Sequence, residues 1–450
     1  MFVPTKINLP RISRGRLISR PFSNSAVMVS RDRPQWLEKI LNDTRPPPRP
    51  YAWTLDNLSL KGRSRPPQIP QTSDHNDLRH RVYILGLGNL GRLYATCLSQ
   101  LSNPPPITLV VHRRSLLEHW ASQPGIEMTR YGHLERLANF NIEWWTDDKP
   151  TIGPVEEVAQ GGQIQNLIVA TKAPDAISEV DRLRRYLDSS STVVFVQNGM
   201  NRLWPPQGAL YSAHRYPGGN HPNYLHGVTM HGVFSEGPFK SVHAAPADVV
   251  IGPVLSNEKH GDAAEYLTKL VTTAPHLAGR AVSPSELWIL QLEKLVINLI
   301  INPLTAILRV RNGELFVDQH QDFVKVMDRL LKETSDVLQV LVQQESSREL
   351  LKNSDMPIDV VMRRLSAPTL RDMLWRVGEK VKYNKSSMFQ DIEAGKQTEI
   401  RDFNGWLVET AELLNQDLDV SSHKLLIELV ERGTRLNKAE LGHQLLPIRQ

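Results

Sequence analysis

The chain has 450 residues, a formal net charge of +5 and a single cysteine, Cys97. One cysteine excludes a disulfide framework and a zinc site built from cysteines. The length is usual for about two or three domains. The sequence contains no apolar run of about 18 or more residues, so no membrane span is predicted.

The first 30 residues carry all of the excess positive charge. They contain five basic residues and no acidic residue, which equals the net charge of the whole chain. An Arg- and Ser-rich segment without acids or a continuous apolar core is typical of a mitochondrial transit peptide; a disordered basic tail is the alternative. We therefore predict a mitochondrial matrix protein with a neutral body, whose charge gives no support for nucleic-acid binding.

Residues 31–80 are rich in proline and poor in hydrophobic pattern, with Pro46–Pro48 followed by Pro50 and later Pro66–Pro67. This composition predicts a linker. The one exception is a possible short docking helix, whose apolar residues are Trp36, Leu37, Ile40 and Leu41.

The strongest motif follows the apolar run 82–85, which favours a buried strand. Glycines stand at 86, 88 and 91, and a helix is predicted from Arg92 to Leu101, with Cys97 on its apolar face. A strand, G-x-G-x-x-G and a helix in this order indicate dinucleotide binding, although three glycines also occur in ordinary loops. The glycines permit a tight turn and a close approach of backbone to a pyrophosphate. The predicted binding turn consists of Gly86, Leu87, Gly88, Asn89, Leu90 and Gly91.

A second parallel strand is predicted over 107–112, and Arg113 and Arg114 follow it. NAD-binding sheets usually place an acidic residue here to hold the ribose 2′-hydroxyl. An arginine suits a 2′-phosphate instead, so the sequence favours NADPH and assigns Arg113 to its binding. A solvated arginine pair on a loop is the alternative.

Further strands are predicted over 142–145, 166–172 and 191–199, the last two as nearly continuous apolar runs. Such runs fit a parallel sheet that is covered on both faces. Because ligands bind beyond the carboxyl ends of these strands, Lys172 and Asn198 are predicted to contact the cofactor. Turn chemistry alone could also explain Asn198 before a glycine.

The next segment is predicted to contain a surface insertion over 201–224 and strands over 227–234 and 249–253. His231 and His243 have no acidic residues nearby in a metal-ligand pattern. We interpret them as structural or surface histidines and predict no metal site.

Helical periodicity dominates from Ser285, a possible helix cap, to the end, which places a domain boundary around residue 280. The sequence therefore predicts an α/β protein. A Rossmann-like parallel sheet domain over 81–280 precedes an all-helical domain over 281–450. The first helix carries a polar stripe, because Lys294, Asn298 and Asn302 are spaced four residues apart among apolar residues. A buried lysine beside two amides indicates a group that polarises a carbonyl and donates a proton; a solvated seam between domains is the alternative.

Two strings resemble signatures of the ketopantoate reductases (2-dehydropantoate 2-reductases). They are KLVINLIINPLTA over 294–306 and SSMFQDIEAGKQTEI over 386–400, the latter followed by Asn404-Gly405. The glycine turn, Thr171-Lys172 and Gln197-Asn198-Gly199 add to the resemblance, which spans about 81–440. With the leader, it points to a mitochondrial, fungal-type member.

The resemblance implies a role for each matching residue. Lys294 matches the catalytic proton donor, and Glu399 lies near the nicotinamide and the substrate hydroxyl. Val233 is a weaker backbone contact to the cofactor. The residues that match the substrate site are Asn298, Asn302, Asn312 and Ser387.

By this resemblance, NADPH reduces 2-dehydropantoate to (R)-pantoate for pantothenate synthesis. The chain has extra residues at the N-terminus, over 201–224 and over 316–385, where a longer helical stretch with a core of leucines and valines is predicted. Two rival functions therefore remain: an NADPH-dependent reductase of another small 2-oxo acid, and a non-catalytic mitochondrial protein that binds a macromolecule such as RNA. No oligomeric state is predicted.

Overall fold

A computed structural model describes residues 33–58, 75–257, 259–316, 321–352, 354 and 356–446. The predicted transit peptide over 1–30 lies outside the described residues. All helices and strands given below belong to these described residues.

The N-terminal domain is organised around a nine-stranded sheet. Along the chain its strands are β1 (Tyr51–Trp53), β2 (Val82–Leu85), β3 (Ile107–Val111), β6 (Asn141–Thr146), β7 (Asn166–Val169), β8 (Thr192–Phe195), β9 (Asn223–Thr229), β12 (Val249–Leu255) and β13 (Gly279–Ala281). A second sheet holds β4 (Ile126–Arg130), β5 (His133–Leu137), β10 (Gly232–Gly237) and β11 (Lys240–Ala245).

The large sheet has the strand order β1-β6-β3-β2-β7-β8-β9-β12-β13. Its middle strands, from β6 to β9, pair in parallel. Every residue of β2, β7 and β8 is buried, because helices cover both faces. The predicted Rossmann-like fold class is confirmed, and so is the burial of Cys97.

The helices of this domain are α1 (Gln35–Asn42), α2 (His75–His80), α3 (Asn89–Leu98), α4 (Arg114–Ser122), α5 (Ala173–Arg182), α6 (Gln207–Arg215) and α7 (Ala263–Thr273).

The structure differs from the predicted linker over 31–80. The segment 51–53 forms β1, an edge strand that pairs antiparallel with β6 and sets Ala52 opposite Trp145. Helix α1 docks through buried Leu37 and Ile40, as its apolar spacing indicates. This three-residue strand could not be predicted from a proline-rich composition, because composition does not show which short apolar run will pair with another strand.

Two other predictions in this domain are wrong. The single strand predicted over 227–234 is two strands, β9 and β10, which belong to different sheets. The predicted surface insertion over 201–224 contains α6, and its large side chains Leu203, Trp204 and Tyr211 are buried. Their burial depends on tertiary packing, which the surrounding Pro, Gly and Asn residues do not reveal.

The C-terminal domain is helical throughout its described residues. Its helices are α8 (Pro284–Leu308), α9 (Gln321–Val342), α10 (Glu345–Leu351), α11 (Ile358–Arg364), α12 (Ala367–Lys380), α13 (Ser387–Glu393), α14 (Trp406–Leu413), α15 (Ser421–Glu431) and α16 (Lys438–Leu445).

Helix α8 is the central helix of this domain. Its N-cap is Ser283, whose hydroxyl accepts from the Glu286 amide at 3.3 Å, so the prediction of Ser285 as the cap is wrong. Pro284 explains the difference, because proline is favoured at the first helical position. By length and composition α8 could cross a membrane, yet 78% of its most apolar window is buried inside the protein. We therefore interpret α8 as a core helix.

Helices α9 to α12 form the longer helical stretch predicted over 316–385. Leu330, Leu331, Val337 and Leu338 are all at most 1% exposed, so this part of the stretch is core, as its spacing predicts.

Candidate active site

The glycine turn between β2 and α3 has the geometry of a phosphate cradle. Gly86 has φ +95°, a conformation that side chains disfavour, and a Cβ on Gly91 would collide with the Gly86 carbonyl oxygen. A Cβ on Gly88, in contrast, would have no neighbour within 4 Å, and no side chain caps α3 at this residue. Open space in front of uncapped helix N–H groups fits a dinucleotide pyrophosphate.

The other residues of the turn support it from within the protein. The side chain of Asn89 accepts a hydrogen bond from the Ser241 hydroxyl on β11 at 3.3 Å. Leu87, Leu90 and Val233 are partly buried, and Arg92 of α3 donates to the Gly237 carbonyl oxygen at 2.8 Å, which joins β10 to the helix that follows the glycine turn. The prediction that groups Val233 with the cofactor site therefore has a spatial basis.

Two arginines follow β3, but their surroundings differ. Arg114 donates to Glu118 at 2.9 Å, and its guanidinium lies 5.4 Å from the Trp53 ring centroid. Arg113 is the exposed N-cap residue of α4, and its side chain has no hydrogen bond or ion pair to another described residue. Of the two, Arg113 is the arginine that is available to an anion at the end of β3.

The amine of Lys294 lies between the two domains. Its Nζ donates to the Asn198 side-chain oxygen at 2.8 Å and to the Thr229 carbonyl oxygen, which are residues of the sheet domain. Burial lowers the pKa of Lys294 to about 8, and the negative charge of Glu399 partly opposes this effect. A lysine with such a pKa is suited to donate a proton near neutral pH.

His226 is a second titratable group near this amine. It is 2% exposed, and its Nδ1 lies 3.3 Å from the side-chain nitrogen of Asn201. Burial, and to a smaller extent the charge of Lys294, lowers the pKa of His226 to about 3. Because His226 is therefore neutral, Lys294 is the group of this pair that changes charge near pH 8.

Glu399 closes the other side of the site. Its carboxylate accepts from the Ala173 amide at 3.4 Å and lies 3.8 Å from the Lys172 amine. Burial raises the pKa of Glu399, against the opposing effect of Lys172. Lys172, predicted as a cofactor contact, also bonds to Asp391 at 2.7 Å and thereby bridges the two domains.

The predicted substrate residues lie along α8 and the start of α13. The Asn302 side-chain nitrogen lies 3.4 Å from the Ser387 hydroxyl and 3.5 Å from the Asn298 side-chain oxygen. Thr305 fixes this segment, because its hydroxyl donates to that of Ser386, the N-cap of α13, at 2.7 Å. The structure therefore brings Asn298, Asn302 and Ser387 together.

Two buried polar atoms of this group have no protein partner among the described residues. They are the side-chain nitrogen of Asn298 and the side-chain oxygen of Asn312. The Asn312 backbone amide bonds to the Asn384 carbonyl oxygen at 3.0 Å, which ties it to the chain leading into α13. Because unpaired buried polar groups are costly, each of these two atoms is suited to contact a polar ligand.

Sequence reasoning missed three residues of the site. Thr229 accepts a hydrogen bond from Lys294 through its backbone carbonyl oxygen, and a motif of side chains cannot predict such a contact. Asp391 and His226 carry recognisable side chains, but only the fold brings them to Lys172 and Lys294. No group of three or more His, Cys, Asp or Glu residues that could hold a metal occurs among the described residues.

A Rossmann-like sheet with an open glycine turn faces a helical domain that supplies a lysine of lowered pKa. This combination defines the class of nicotinamide-dependent oxidoreductases that reduce 2-oxo acids. Residues 82–256 match the family model "Ketopantoate reductase PanE/ApbA", and residues 287–433 match its C-terminal model. The chain belongs to the ketopantoate reductase family.

Individual relatives differ in their named substrates. The chain is 43% identical to ketoisovalerate reductase BEA2 of Gibberella fujikuroi, over 93% of this chain and 100% of that protein. It is 25% identical to 2-dehydropantoate 2-reductase of Saccharomyces cerevisiae, over 80% of this chain and 96% of that protein. A solved structure of D-mandelate dehydrogenase with NADH and anilino(oxo)acetate has the same fold. Its TM-score is 0.56 and its sequence identity 18%, over 80% of this chain and 99% of that chain.

Proposed function

We propose that this protein uses NADPH to reduce a small branched 2-oxo acid to the 2-hydroxy acid, with Lys294 as the proton donor. The observation that carries the proposal is the Lys294 amine, held at 2.8 Å by Asn198 in the cleft between the domains. When bound, the cofactor supplies the hydride. Lys294 donates a proton to the substrate oxygen, and the amides of α8 with Ser387 orient the acid.

For the substrate, 2-ketoisovalerate is the first candidate. The ketoisovalerate reductase of Gibberella fujikuroi aligns with 93% of this chain. Residues 1–80 make up less than a fifth of the chain, so an alignment of that length includes part of the N-terminal segment. Coverage of 80% by the yeast 2-dehydropantoate 2-reductase does not require that segment. The greater identity and the longer shared region both favour a ketoisovalerate reductase.

The second candidate substrate is 2-dehydropantoate, which carries a hydroxyl group that 2-ketoisovalerate lacks. The unpartnered polar atoms of Asn298 and Asn312 favour it, because a substrate hydroxyl can both donate and accept. A site that requires this hydroxyl would discriminate strongly against the analogue without it.

The experiment compares kcat/KM for the two acids by NADPH consumption. We expect 2-ketoisovalerate to be reduced at least as efficiently as 2-dehydropantoate. A preference of about 10²-fold or more for 2-dehydropantoate would reverse the order of the candidates. No turnover of either acid, or of a panel of other 2-oxo acids, would contradict the enzymatic function and favour the non-catalytic alternative.

For the cofactor we propose NADPH, because Arg113 is exposed after β3 where a 2′-phosphate would lie. We expect Arg113→Ala to raise the KM for NADPH about 10-fold and to leave the KM for NADH nearly unchanged. Arg114→Ala is the matched control, since Arg114 is held by Glu118. Equal effects of Arg113→Ala on the two cofactors would contradict this assignment.

The lowered pKa of Lys294 predicts a pH profile for the reduction. Lys294 must be protonated to act as the acid, so kcat should fall as the pH rises through about 8. Glu399→Gln removes the charge that opposes the effect of burial, and we therefore expect the midpoint of this fall to move to lower pH. Steady-state rates between pH 6 and pH 10 test both expectations, and a midpoint that rises in Glu399→Gln would contradict them.

We also propose localisation in the mitochondrial matrix, from the basic leader over 1–30 alone. A fluorescent fusion of the full chain should colocalise with a matrix marker, and deletion of 1–30 should release it to the cytosol. Unchanged localisation after the deletion would contradict the proposal.

A further inference from the structure

We propose that Gln291 is a positioning residue, which holds the loop after β8 so that Asn198 meets the amine of Lys294. The proposal rests on the proposed function, in which Lys294 is the proton donor. Gln291 precedes Lys294 by three residues on α8, so the two side chains leave the helix on the same face.

The two helix residues hold two consecutive loop residues. The Gln291 side-chain nitrogen donates to the Gly199 carbonyl oxygen at 2.8 Å, and Lys294 donates to the neighbouring Asn198 at 2.8 Å. Gln291 is only 2% exposed, so its hydrogen bonds do not compete with bulk water. Because α8 belongs to the helical domain and the loop to the sheet domain, both bonds cross the domain boundary.

Trp204 fixes the orientation of the Gln291 amide. The indole N–H of Trp204 donates to the Gln291 side-chain oxygen at 2.6 Å. An indole nitrogen can only donate, so the amide oxygen must face Trp204 and the amide nitrogen must face Gly199. The loop is thus attached to α8 at two points, Gly199 and Trp204.

The attachment matters for the chemistry because Asn198 accepts from the charged amine. A hydrogen bond to the charged form of a group favours that form. If the loop moves away from α8, the ammonium of Lys294 loses this acceptor. Gln291 therefore acts on the acidity of Lys294 through Asn198, without contact to the substrate.

The test replaces Gln291 by methionine, which is similar in length and forms neither hydrogen bond. For Gln291→Met we expect kcat to fall about 10-fold and the alkaline midpoint of the kcat profile to move to lower pH. The matched control is Ile289→Ala, a fully buried apolar position on the same helix, which should leave this midpoint unchanged. If Gln291→Met does not fold, Trp204→Phe removes the donor that orients the amide and should shift the midpoint in the same direction.

A double-mutant cycle separates positioning from general destabilisation. On an Asn198→Ala background, Gln291→Met should produce little further shift of the midpoint. An additive shift there, or an unchanged midpoint in Gln291→Met itself, would overturn the proposal.

A second readout does not depend on activity. Labelling of Lys294 by acetic anhydride across a pH series, quantified by mass spectrometry, measures its titration directly. An unchanged titration in Gln291→Met would overturn the positioning role even if neither 2-oxo acid is reduced. A lower titration midpoint of Lys294 in Gln291→Met, without turnover of either acid, would support the positioning role and count against the reductase function alone.

Discussion

Lys294→Met is expected to lower kcat for 2-oxo acid reduction by at least about 10²-fold, with a much smaller change in the KM for NADPH. The amine lies between the domains and can donate a proton to the substrate oxygen at neutral pH, and its charge stabilises the alkoxide as it forms. Steady-state kinetics with 2-ketoisovalerate and 2-dehydropantoate measure the loss. Equal rates for the variant and the wild type would contradict the role of the lysine.

The same variant should not be less stable than the wild type. A pKa lowered from 10.5 to about 8 corresponds to a cost of up to about 3 kcal/mol for carrying the charge in the folded protein. Methionine avoids this cost, so we expect a higher thermal midpoint at pH 7. Between pH 8 and 10.5 the unfolded chain binds more protons than the folded protein, so wild-type stability rises and the difference shrinks. Loss of activity together with a gain in stability would exclude unfolding as the cause.

The second large effect is expected in the glycine turn. Gly88→Ala should raise the KM for NADPH at least about 10-fold, because its Cβ would occupy space where backbone meets the pyrophosphate. The fold should tolerate the change, since this Cβ has no protein neighbour within 4 Å and Gly88 has φ −70°. Cofactor titration and thermal unfolding of the same sample measure both properties.

Gly91→Ala provides the contrast to Gly88→Ala. Its Cβ would collide with the Gly86 carbonyl oxygen, so β2 and α3 would have to separate. We expect a loss of stability of about 1–3 kcal/mol, in addition to weaker cofactor binding. Equal losses of stability in the two variants would contradict the expectation that a Cβ at Gly88 has no protein neighbour.

The elements with strong local patterns could be predicted from the sequence. The buried strands β2, β7 and β8 are nearly continuous apolar runs, and the turn after β2 has its glycines at fixed spacing. On α8, spacing alone places Lys294, Asn298 and Asn302 near one another, and all three face the site. These features are local, so periodicity is enough to find them.

Features that depend on partners far along the chain could not be predicted. Strand β1 pairs with β6, which sets Ala52 opposite Trp145, and the buried indole of Trp204 finds its hydrogen-bond acceptor on Gln291. The carbonyl oxygen of Thr229 enters the site only because β9 lies beside β8. Each of these contacts joins residues that are tens of positions apart, and no sequence spacing records it.

We expect the Lys294 amine to meet the oxygen of a 2-oxo acid beside the bound cofactor. A crystal structure of the full chain with NADP⁺ and 2-ketoisovalerate tests it most directly. We predict the Lys294 nitrogen at about 3 Å from the 2-oxo oxygen, within hydrogen-bond reach, and the pyrophosphate against Gly88. A substrate bound away from Lys294, with that amine directed into bulk solvent, would contradict the account.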